Sequence, residues 1–406
     1  MAAKTLLLLS LALRAHACTY EVDCSLNGRC LPSGSCACYP GWAGAACATL
    51  SLAPAPTTAA YGGGIGAPLS SWGAAVVRDP GSGTYLMAVD EMSRHCGLGV
   101  WQPNSHCVLA TAPTALGPFT RQRAMQASWC HGSALARDPV SGALFWGHMG
   151  HATAEAACTQ CANGTTPPGA PAGPCDPDPD ALPYRDTAFA APGPAGPFAP
   201  APGFINCANG EAFFSPDGSV VVACPDGGAT TDSFFSVSAA PSAAAALAGN
   251  WTRLPQTLSV AGSNASVPYL GFHWEDQTIY RDPRGHFHAI MHAFRGQNTS
   301  LPEPGCLPTP SGEWAPPGCT SLGGHAFSLD GSHWWVGREP AYTARVEFAG
   351  GGVAVMRARE RPHVVQGSDG ELAFFVSAVG DPGAGGNTGV RGADHTFTLV
   401  QAVSAQ

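Results

Sequence analysis

The sequence predicts an all-β protein in which a small cysteine-rich module precedes one large domain. The 406 residues include 51 glycines, 37 prolines and 16 cysteines, and only 12% of them are charged. Helices on the surface of a protein need charged residues on their exposed faces, and this chain has few. Glycine and proline also disfavour helices. Hydrophobic residues make up 45% of the chain and include ten tryptophans, which supplies the apolar area that a large core needs.

The net charge excludes one large class of partner. The formal charge is −9 at pH 7. Proteins that hold nucleic acid by electrostatic attraction need a basic surface. We therefore expect no nucleic-acid partner.

Residues 1–17 have the layout of a cleaved signal peptide. Lys4 is followed by an apolar run from Leu6 to Leu13 and by the small-residue triplet Ala15-His16-Ala17. The run is shorter than the roughly 20 apolar residues that span a bilayer, and no later stretch reaches that length. An anchor that stays uncleaved is the alternative. We expect a secreted, extracellular protein without a membrane span.

Residues 18–48 form the cysteine-rich module. Its six cysteines are Cys18, Cys24, Cys30, Cys36, Cys38 and Cys47. About thirty residues cannot bury enough surface to fold unaided, so covalent crosslinks must stabilise them. A zinc site is the alternative, but no partnered histidines accompany the cysteines, and export favours disulfides. Spacing alone does not choose among the possible pairings.

The end of this module resembles an EGF-like domain. Cys36-x-Cys38 is followed by Gly41-Trp42, Gly44 and then Cys47. The resemblance implies a module that binds an extracellular protein partner or spaces domains. Because the acidic consensus of calcium-binding EGF modules is missing before Cys18, we expect no calcium. The resemblance also implies the disulfide pairs Cys18–Cys30, Cys24–Cys36 and Cys38–Cys47.

Residues 49–61 are a linker rich in proline, alanine and threonine. Proline-rich linkers are extended and semi-rigid. We therefore expect the linker to hold the module away from the large domain, which takes residues 62–406.

The large domain contains five similar segments, each with a strand, a turn built on Asp and Gly, and a second strand. Aspartate caps such a turn through its side chain, and glycine adopts the positive φ that the turn requires. The five Asp/Gly pairs are Asp79/Gly83, Asp138/Gly142, Asp217/Gly218, Asp282/Gly285 and Asp369/Gly370.

The spacing of these hairpins leaves room for a four-stranded blade around each one. A blade of short antiparallel strands cannot cover both of its faces, so neighbouring blades must stack around an axis. Five copies therefore predict a five-bladed β-propeller. A β-sandwich is the alternative, because Asp-Gly hairpins are common there too.

Several stretches resemble five-bladed propellers related to glycoside hydrolase family 43, in a secreted eukaryotic branch. The segment 274–292, Trp-Glu-Asp-Gln-Thr-Ile-Tyr-Arg-Asp-Pro-Arg-Gly-His-Phe-His-Ala-Ile-Met-His, is similar to the fourth blade. Supporting stretches are 91–101, 323–331 and 359–362. The resemblance spans residues 72–379 and implies a protein that binds or hydrolyses polysaccharide at the mouth of the channel.

Apart from Glu91, the candidate site residues stand where the first strand of each predicted blade begins, because these positions open on the channel. Glycoside hydrolysis needs one carboxylic acid to protonate the leaving oxygen and a second carboxylate. The catalytic candidates are Glu275, Asp276, Glu360 and Glu91. The candidates for substrate binding are Trp72, His131, Glu211, Trp274 and Arg359, with Asn209 beside Glu211.

One departure from the family leaves catalysis open. Family 43 hydrolases place an aspartate base at the start of blade one, where this chain has Ser70-Ser71-Trp72-Gly73. The channel therefore either uses Glu91 instead or binds sugar without cleaving it. Glu275 has an alternative role in a salt bridge to Arg281, Arg359 or Arg361.

The remaining motifs concern crosslinks, glycans and histidines. Cys158-x-x-Cys161 lies in a loop and favours a disulfide over a redox or zinc pair. Cys207 with Cys224, and Cys306 with Cys319, would close short loops. His286 and His288 alternate on one strand face. The resemblance to family 43 implies that a channel histidine can ligate a metal through water, for which His288 is a candidate, but a hydrogen-bonded core histidine is the usual outcome. We expect no metal and no cofactor. Glycosylation sequons begin at Asn163, Asn250, Asn264 and Asn298.

Overall fold

A computed structural model of the chain describes residues 18–67, 69–92, 97–98, 101–126, 130–150, 185–207, 209–225, 235–260, 272–295, 322–337, 339–382 and 395–404. The predicted signal peptide at 1–17 lies outside these residues, as do Cys96, Asn163, Asn264 and Asn298. The predicted crosslinks of Cys158 with Cys161 and of Cys306 with Cys319 lie outside them too.

The first two sheets are antiparallel and four-stranded, and their strands follow the chain from the inside outward. Blade one contains β5 (Ser71–Arg78), β6 (Tyr85–Met92), β7 (Ser105–Ala112) and β8 (Thr120–Gln126). Blade two contains β9 (Cys130–Arg137), β10 (Leu144–Gly150), β11 (Arg185–Ala191) and β12 (Ala199–Pro200).

The other three sheets continue the pattern with variations at their outer edges. Blade three contains β13 (Glu211–Phe214), β14 (Val220–Pro225), β15 (Phe235–Ala240) and β16 (Thr252–Arg253). Blade four contains β18 (Phe272–Arg281), β19 (Phe287–Arg295), β20 (Leu322–Ser328) and β21 (His333–Val336), with β17 (Thr257–Val260) parallel to β21. Blade five contains β24 (Ala358–Gln366), β25 (Leu372–Gly380) and β26 (Thr396–Ala402).

Little else is regular in the described residues. A two-stranded hairpin, β22 (Arg345–Glu347) and β23 (Val353–Val355), precedes blade five. The helices are single turns: a 3-10 helix at Glu21–Cys24, α1 (Trp101–Asn104) and α2 (Ala243–Leu247). None of the helices in the described part is long and apolar enough to cross a membrane.

The five predicted Asp-Gly turns join the two inner strands of the five blades. Each turn aspartate accepts a hydrogen bond from a backbone N–H two or three residues later, at 2.9–3.1 Å. Each turn glycine has a positive φ, from 74° to 92°. The turn chemistry read from the sequence is therefore confirmed in every blade.

Five apolar interfaces join each blade to the next and complete the ring. Each buries side chains from the inner strands of two neighbouring blades. Representative pairs around the ring are Leu86 with Leu135, Phe145 with Phe214, Val221 with Ile279, Tyr280 with Phe375, and Val365 with Val76. The predicted five-bladed β-propeller is confirmed, and the β-sandwich is excluded.

The segment before blade one closes the ring at its other end. Its residues Leu52 and Tyr61 pair antiparallel with Val403 and Thr398 at the outer edge of blade five. Ser71, the first residue of β5, lies 3.1 Å from Thr398 between their hydroxyl oxygens. The two ends of the propeller are thus held together by hydrogen bonds.

The cysteine-rich module has the pairing that the EGF-like resemblance implies. The disulfides are Cys18–Cys30, Cys24–Cys36 and Cys38–Cys47. Two small hairpins surround them: β1 (Gly28–Cys30) with β2 (Cys36–Cys38), and β3 (Trp42–Ala43) with β4 (Thr49–Leu50).

The module packs directly on the propeller, unlike the separation expected from the linker. Trp42 is 2% exposed and shares a core with Tyr280 of blade four and Phe375 of blade five. The guanidinium carbon of Arg284 lies 4.0 Å from the centre of the Tyr39 ring. Residues 49–61 do not act as a spacer, because the backbone N–H groups of Ala53 and Ala60 donate hydrogen bonds to the carbonyl oxygens of Ala402 and Thr398 in blade five.

Candidate functional site

Each blade places one residue with left-handed backbone at the axis. In blades one, two, four and five the register between the two inner strands shifts at this residue, as in a β-bulge. The five residues are Gly73 (φ 79°), Gly132 (φ 66°), Asn209 (φ 59°), Asp276 (φ 58°) and Arg361 (φ 53°). Non-glycine residues with positive φ store strain, typically of about 1–3 kcal/mol, and they concentrate at functional sites.

These five residues line one cavity, the axial pocket. Asp90 of β6 and Glu211 of β13 join them there, so that with Asp276 of β18 three acidic residues from different blades line the pocket. The ring geometry therefore brings together carboxyl groups that are far apart in the sequence.

Asp90 is completely buried and ties blade one to blade two. Its carboxylate oxygens accept hydrogen bonds from the backbone N–H groups of Gly132, at 2.6 Å, and Ser133, at 3.1 Å. Burial raises the pKa of Asp90 to about 6, although Arg361 and the hydrogen bonds oppose the rise.

Asp276 belongs to blade four and contacts Arg361 of blade five. Its Oδ2 accepts a hydrogen bond from the Arg361 backbone N–H at 3.2 Å, and its Oδ1 lies 3.5 Å from Arg361 Nε. Burial raises the pKa of Asp276 to about 6, against the opposing charge of Arg361. This carboxyl group therefore keeps a proton closer to neutrality than an exposed aspartate does.

Two other predicted catalytic residues flank Asp276. Glu275 precedes it on β18, and Glu360 lies on β24 with its Oε2 3.8 Å from His292 Nδ1. His292 Nδ1 is also 4.0 Å from Asp276 Oδ2. Glu275 and Glu360 each add to the rise in the Asp276 pKa. Neither lines the axial pocket, so they act on it through Asp276.

Glu211 faces the pocket and is paired with His363 of blade five. Its Oε1 lies 2.7 Å from His363 Nδ1, and His363 Nε2 donates to the carbonyl oxygen of Val76 at 3.0 Å. Burial lowers the pKa of His363, but the Glu211 carboxylate raises it overall. With both ring nitrogens facing acceptors, a protonated His363 fits this position.

Glu91 lies outside the axial pocket. It bonds to the Tyr61 hydroxyl, to His106 Nε2 at 2.9 Å and, at 3.6 Å, to Arg121 Nε. Burial would raise the pKa of Glu91, but the hydrogen bonds from His106 and Tyr61 lower it. Glu91 therefore faces away from the pocket, because successive side chains on β6 face opposite sides and Asp90 takes the pocket side.

Three candidates for substrate binding lie behind the pocket wall. Trp72 is buried in an apolar cluster with Met92. His131 is 2% exposed and stacks on Trp101, with ring centres 4.3 Å apart. Arg359 is 1% exposed and donates to the carbonyl oxygen of Thr343 at 3.0 Å. The side chain of Trp274 lies outside the described part of the structure.

The sequence predicts where the first strand of each blade begins. In three blades, however, the residue at the axis lies one or two positions after the predicted one. A bulge with a left-handed residue rotates the backbone, so that Gly73, Gly132 and Arg361 occupy the axis instead of Trp72, His131 and Arg359. A usable signal exists. Gly73, Gly132 and Asp276 each stand six residues before a turn aspartate that follows an arginine, at Asp79, Asp138 and Asp282.

Comparison with known proteins gives one family match, at the N-terminal end. Residues 20–49 match the Teneurin-like EGF domain. No curated protein matches the chain.

Solved structures with similar architecture include several glycoside hydrolases. An α-L-arabinofuranosidase from Lactobacillus brevis is 11% identical, with 82% of this chain and 90% of that chain covered and a TM-score of 0.46. An endo-arabinase from Bacteroides thetaiotaomicron is 11% identical, with 83% and 95% covered and a TM-score of 0.43. A thermostable family-43 glycoside hydrolase is 10% identical, with 84% and 91% covered and a TM-score of 0.43.

Identities and scores this low support no inference about activity, and the propeller is established by the sheets and interfaces described above. The disulfides and the family match agree on the nature of the first module. The chain therefore carries a Teneurin-like EGF domain, followed by a five-bladed β-propeller.

Proposed function

We propose that this is a secreted carbohydrate-active protein that binds glycan in the axial pocket and hydrolyses a glycosidic bond there. The observation that supports this most is the convergence of Asp90, Glu211 and Asp276 with the Arg361 side chain on one cavity. Carboxylates and a guanidinium group are the partners that sugar hydroxyls use for hydrogen bonding.

Asp276 and Glu211 have different surroundings, which suit the two different roles of carboxyl groups in glycoside hydrolysis. Asp276, with its pKa raised to about 6, suits the acid that protonates the leaving oxygen. Glu211, paired with His363, suits the ionised carboxylate that activates water or stabilises positive charge on the sugar. Burial keeps the Asp276 pKa high, and Glu275 and Glu360 add to the rise as positioning residues in this proposal.

The test is release of sugar from arabinan, xylan and galactan by the purified protein. Asp276→Asn and Glu211→Gln should each lower the rate by about 100-fold or more, the usual contribution of a general acid or base. Glu347→Gln is the matched control, because Glu347 is exposed and pairs with Arg345 away from the pocket. Equal rates in all four proteins would reject the proposal.

Binding without hydrolysis is the second candidate function. It is favoured by blade one, where the axial residue is Gly73 and the nearest carboxylate, Asp90, is committed to two backbone N–H groups of blade two. Calorimetric binding of the same polysaccharides, together with absence of released sugar, would select this function. Arg361→Ala should weaken that binding.

The proposed function also includes secretion of the protein and a binding role for the EGF-like module. We propose cleavage of residues 1–17, domain limits at 18–48, 49–61 and 62–406, and glycosylation at the exposed Asn250. The module exposes Tyr20, at 70%, which suits contact with an extracellular protein partner. Amino-terminal sequencing of the protein from a eukaryotic secretion host should begin at Cys18, and an intact N-terminus would reject the cleavage.

A further inference from the structure

A cluster of potential metal ligands lies at the β18–β19 turn of blade four. Asp282 caps this turn, and His286 and His288 follow on one face of the hairpin. Asp282 stands six residues beyond Asp276, in the turn that ends the same strand, and six extended residues span up to about 20 Å. The cluster is therefore at the end of the blade away from the axial pocket.

The separations in this cluster fit metal ligands better than hydrogen bonds. Asp282 Oδ2 lies 3.4 Å from His286 Nδ1 and 3.6 Å from His288 Nε2. Hydrogen bonds from nitrogen to oxygen span about 2.7–3.2 Å. Two ligand atoms that each lie about 2.1 Å from a tetrahedral zinc ion are about 3.4 Å apart. All three ligand atoms lie within 4.8 Å of one another.

The histidines have ligand atoms without another use in the described part of the chain. His288 is fully buried, and its Nε2 has no hydrogen-bond partner there. The Nδ1 of His286 has none either. Burying an unsatisfied polar atom is costly, so a native structure normally supplies a partner. A cation held between these nitrogens and Asp282 would satisfy both.

The surroundings hold the ligands in place in the way that metal sites require. Asp282 Oδ1 accepts hydrogen bonds from the backbone N–H groups of Arg284, at 3.0 Å, and His286, at 2.8 Å. Arg284 Nε donates to Oδ2 at 2.7 Å. On the other side, His288 Nδ1 lies 3.1 Å from His325 Nε2. The side chain of His286 is 16% exposed, which gives solvent a path to the cluster.

We propose that Asp282, His286 and His288 bind a divalent transition-metal ion, Zn²⁺ by preference, with water as the fourth ligand. Two imidazoles and one carboxylate suit zinc and disfavour Ca²⁺ and Mg²⁺, which bind oxygen ligands. The site lies beside the EGF-like module, since the ring centres of Trp42 and His325 are 4.7 Å apart. It does not depend on the function proposed for the axial pocket.

The test is a zinc titration of the full-length protein after removal of metal by a chelator. Calorimetry should show that the wild-type protein binds one equivalent of Zn²⁺ more than His286→Gln. Cobalt(II) in place of zinc should give the strong visible absorption of four-coordinate Co²⁺, and His286→Gln should lack it. His333→Gln is the control, because His333 lies on the same blade and its ring bonds to Thr257 instead.

The variant at His286 is chosen because that side chain is partly exposed and can be replaced without opening the core. Circular dichroism and the melting temperature in chelator should match those of the wild-type protein. An excess of zinc should then raise the melting temperature of the wild-type protein and of His333→Gln by several degrees more than that of His286→Gln. Equal zinc stoichiometry in the wild-type protein and His286→Gln, or no zinc bound by the wild-type protein, would overturn the proposal.

Discussion

The backbone N–H of Arg361 donates a hydrogen bond to Oδ2 of Asp276 across the junction of blades five and four, at 3.2 Å. Both residues have left-handed backbone, and both line the axial pocket. The buried carboxyl group of Asp276 is therefore held by a neighbour that also brings a positive charge. The pKa of Asp276 therefore depends on the contact between blades four and five, which forms only when the ring is assembled.

The ionisation of Asp276 should appear in the pH dependence of stability. Its pKa rises from the ordinary 3.8 to about 6 on folding, so the folded state holds the proton more tightly. The associated stability is present below pH 4 and is lost as the pH rises through 6, by at most about 3 kcal/mol. Urea unfolding should therefore show Asp276→Asn gaining up to that amount relative to wild type between pH 4 and pH 7. A constant difference across this range would contradict the raised pKa.

Glu91→Gln should separate packing from catalysis. The substitution weakens a buried set of hydrogen bonds to Tyr61 and His106, so the free energy of unfolding should fall by about 1–3 kcal/mol. Because Glu91 does not line the pocket, binding and hydrolysis of glycan should stay within about twofold of wild type. Loss of hydrolysis with unchanged stability would instead support the catalytic role predicted from the sequence.

Gly73→Ala should disturb the pocket through Arg361. A Cβ at this position would meet three side-chain carbons of Arg361 at 3.0–3.2 Å. Gly66→Ala is the matched control, because Gly66 has a similar φ of 73° with no atom within 4 Å of the added carbon. Both variants should lose about 1–2 kcal/mol because alanine disfavours a left-handed backbone, but only Gly73→Ala should weaken glycan binding. Equal binding by the two variants would contradict the contact with Arg361.

Trp42→Ala should show that the EGF-like module is part of the propeller core. The indole is almost completely buried between the module and blades four and five, and such truncations cost about 3–5 kcal/mol. Tyr20→Ala is the control on the same module, because that ring is 70% exposed. Denaturation in urea followed by circular dichroism measures both. A loss no larger than that of the control would mean that the module is not docked in solution.

The disulfide Cys107–Cys130 should stabilise the junction of blades one and two. Both cysteines are fully buried, and they are separated by 23 residues. Replacing both with alanine should cost about 3 kcal/mol, the chain-entropy expectation for a loop of that length. The urea midpoint without reducing agent measures the loss. An unchanged midpoint would show that the apolar interface alone determines stability there.

The fold was predictable because the turns and disulfides that define it involve residues close together in the sequence. Each Asp-Gly pair determines a tight turn from local residues alone, as at Asp79 and Asp138. Five such turns predict five hairpins. The disulfide pairing was implied by the resemblance to EGF-like domains, because cysteine spacing alone does not choose among the possible pairings. The pocket was only partly predictable: Asp276 and Glu211 were found, whereas Asp90 was not. A bulge changes the side that every later residue faces, and alternation alone does not reveal it.

The docking of the EGF-like module was not predictable either. Proline and alanine in residues 49–61 indicate an extended segment, which is what the structure contains. Extension does not say what the segment lies against. The pairing of Leu52 with Val403 joins residues from opposite ends of the chain, and no pattern within either segment identifies the other. Long-range partners of this kind are set by the closure of the ring.

That closure imposes an order on biosynthesis. Ser71 and its partner Thr398 are 327 residues apart, so the earliest strand of the ring leaves the ribosome long before the strand that completes its neighbourhood. Contacts of such long range make folding slow. Until residues 396–402 are synthesised, the edge of β25 that they cover in the folded ring has no strand to pair with.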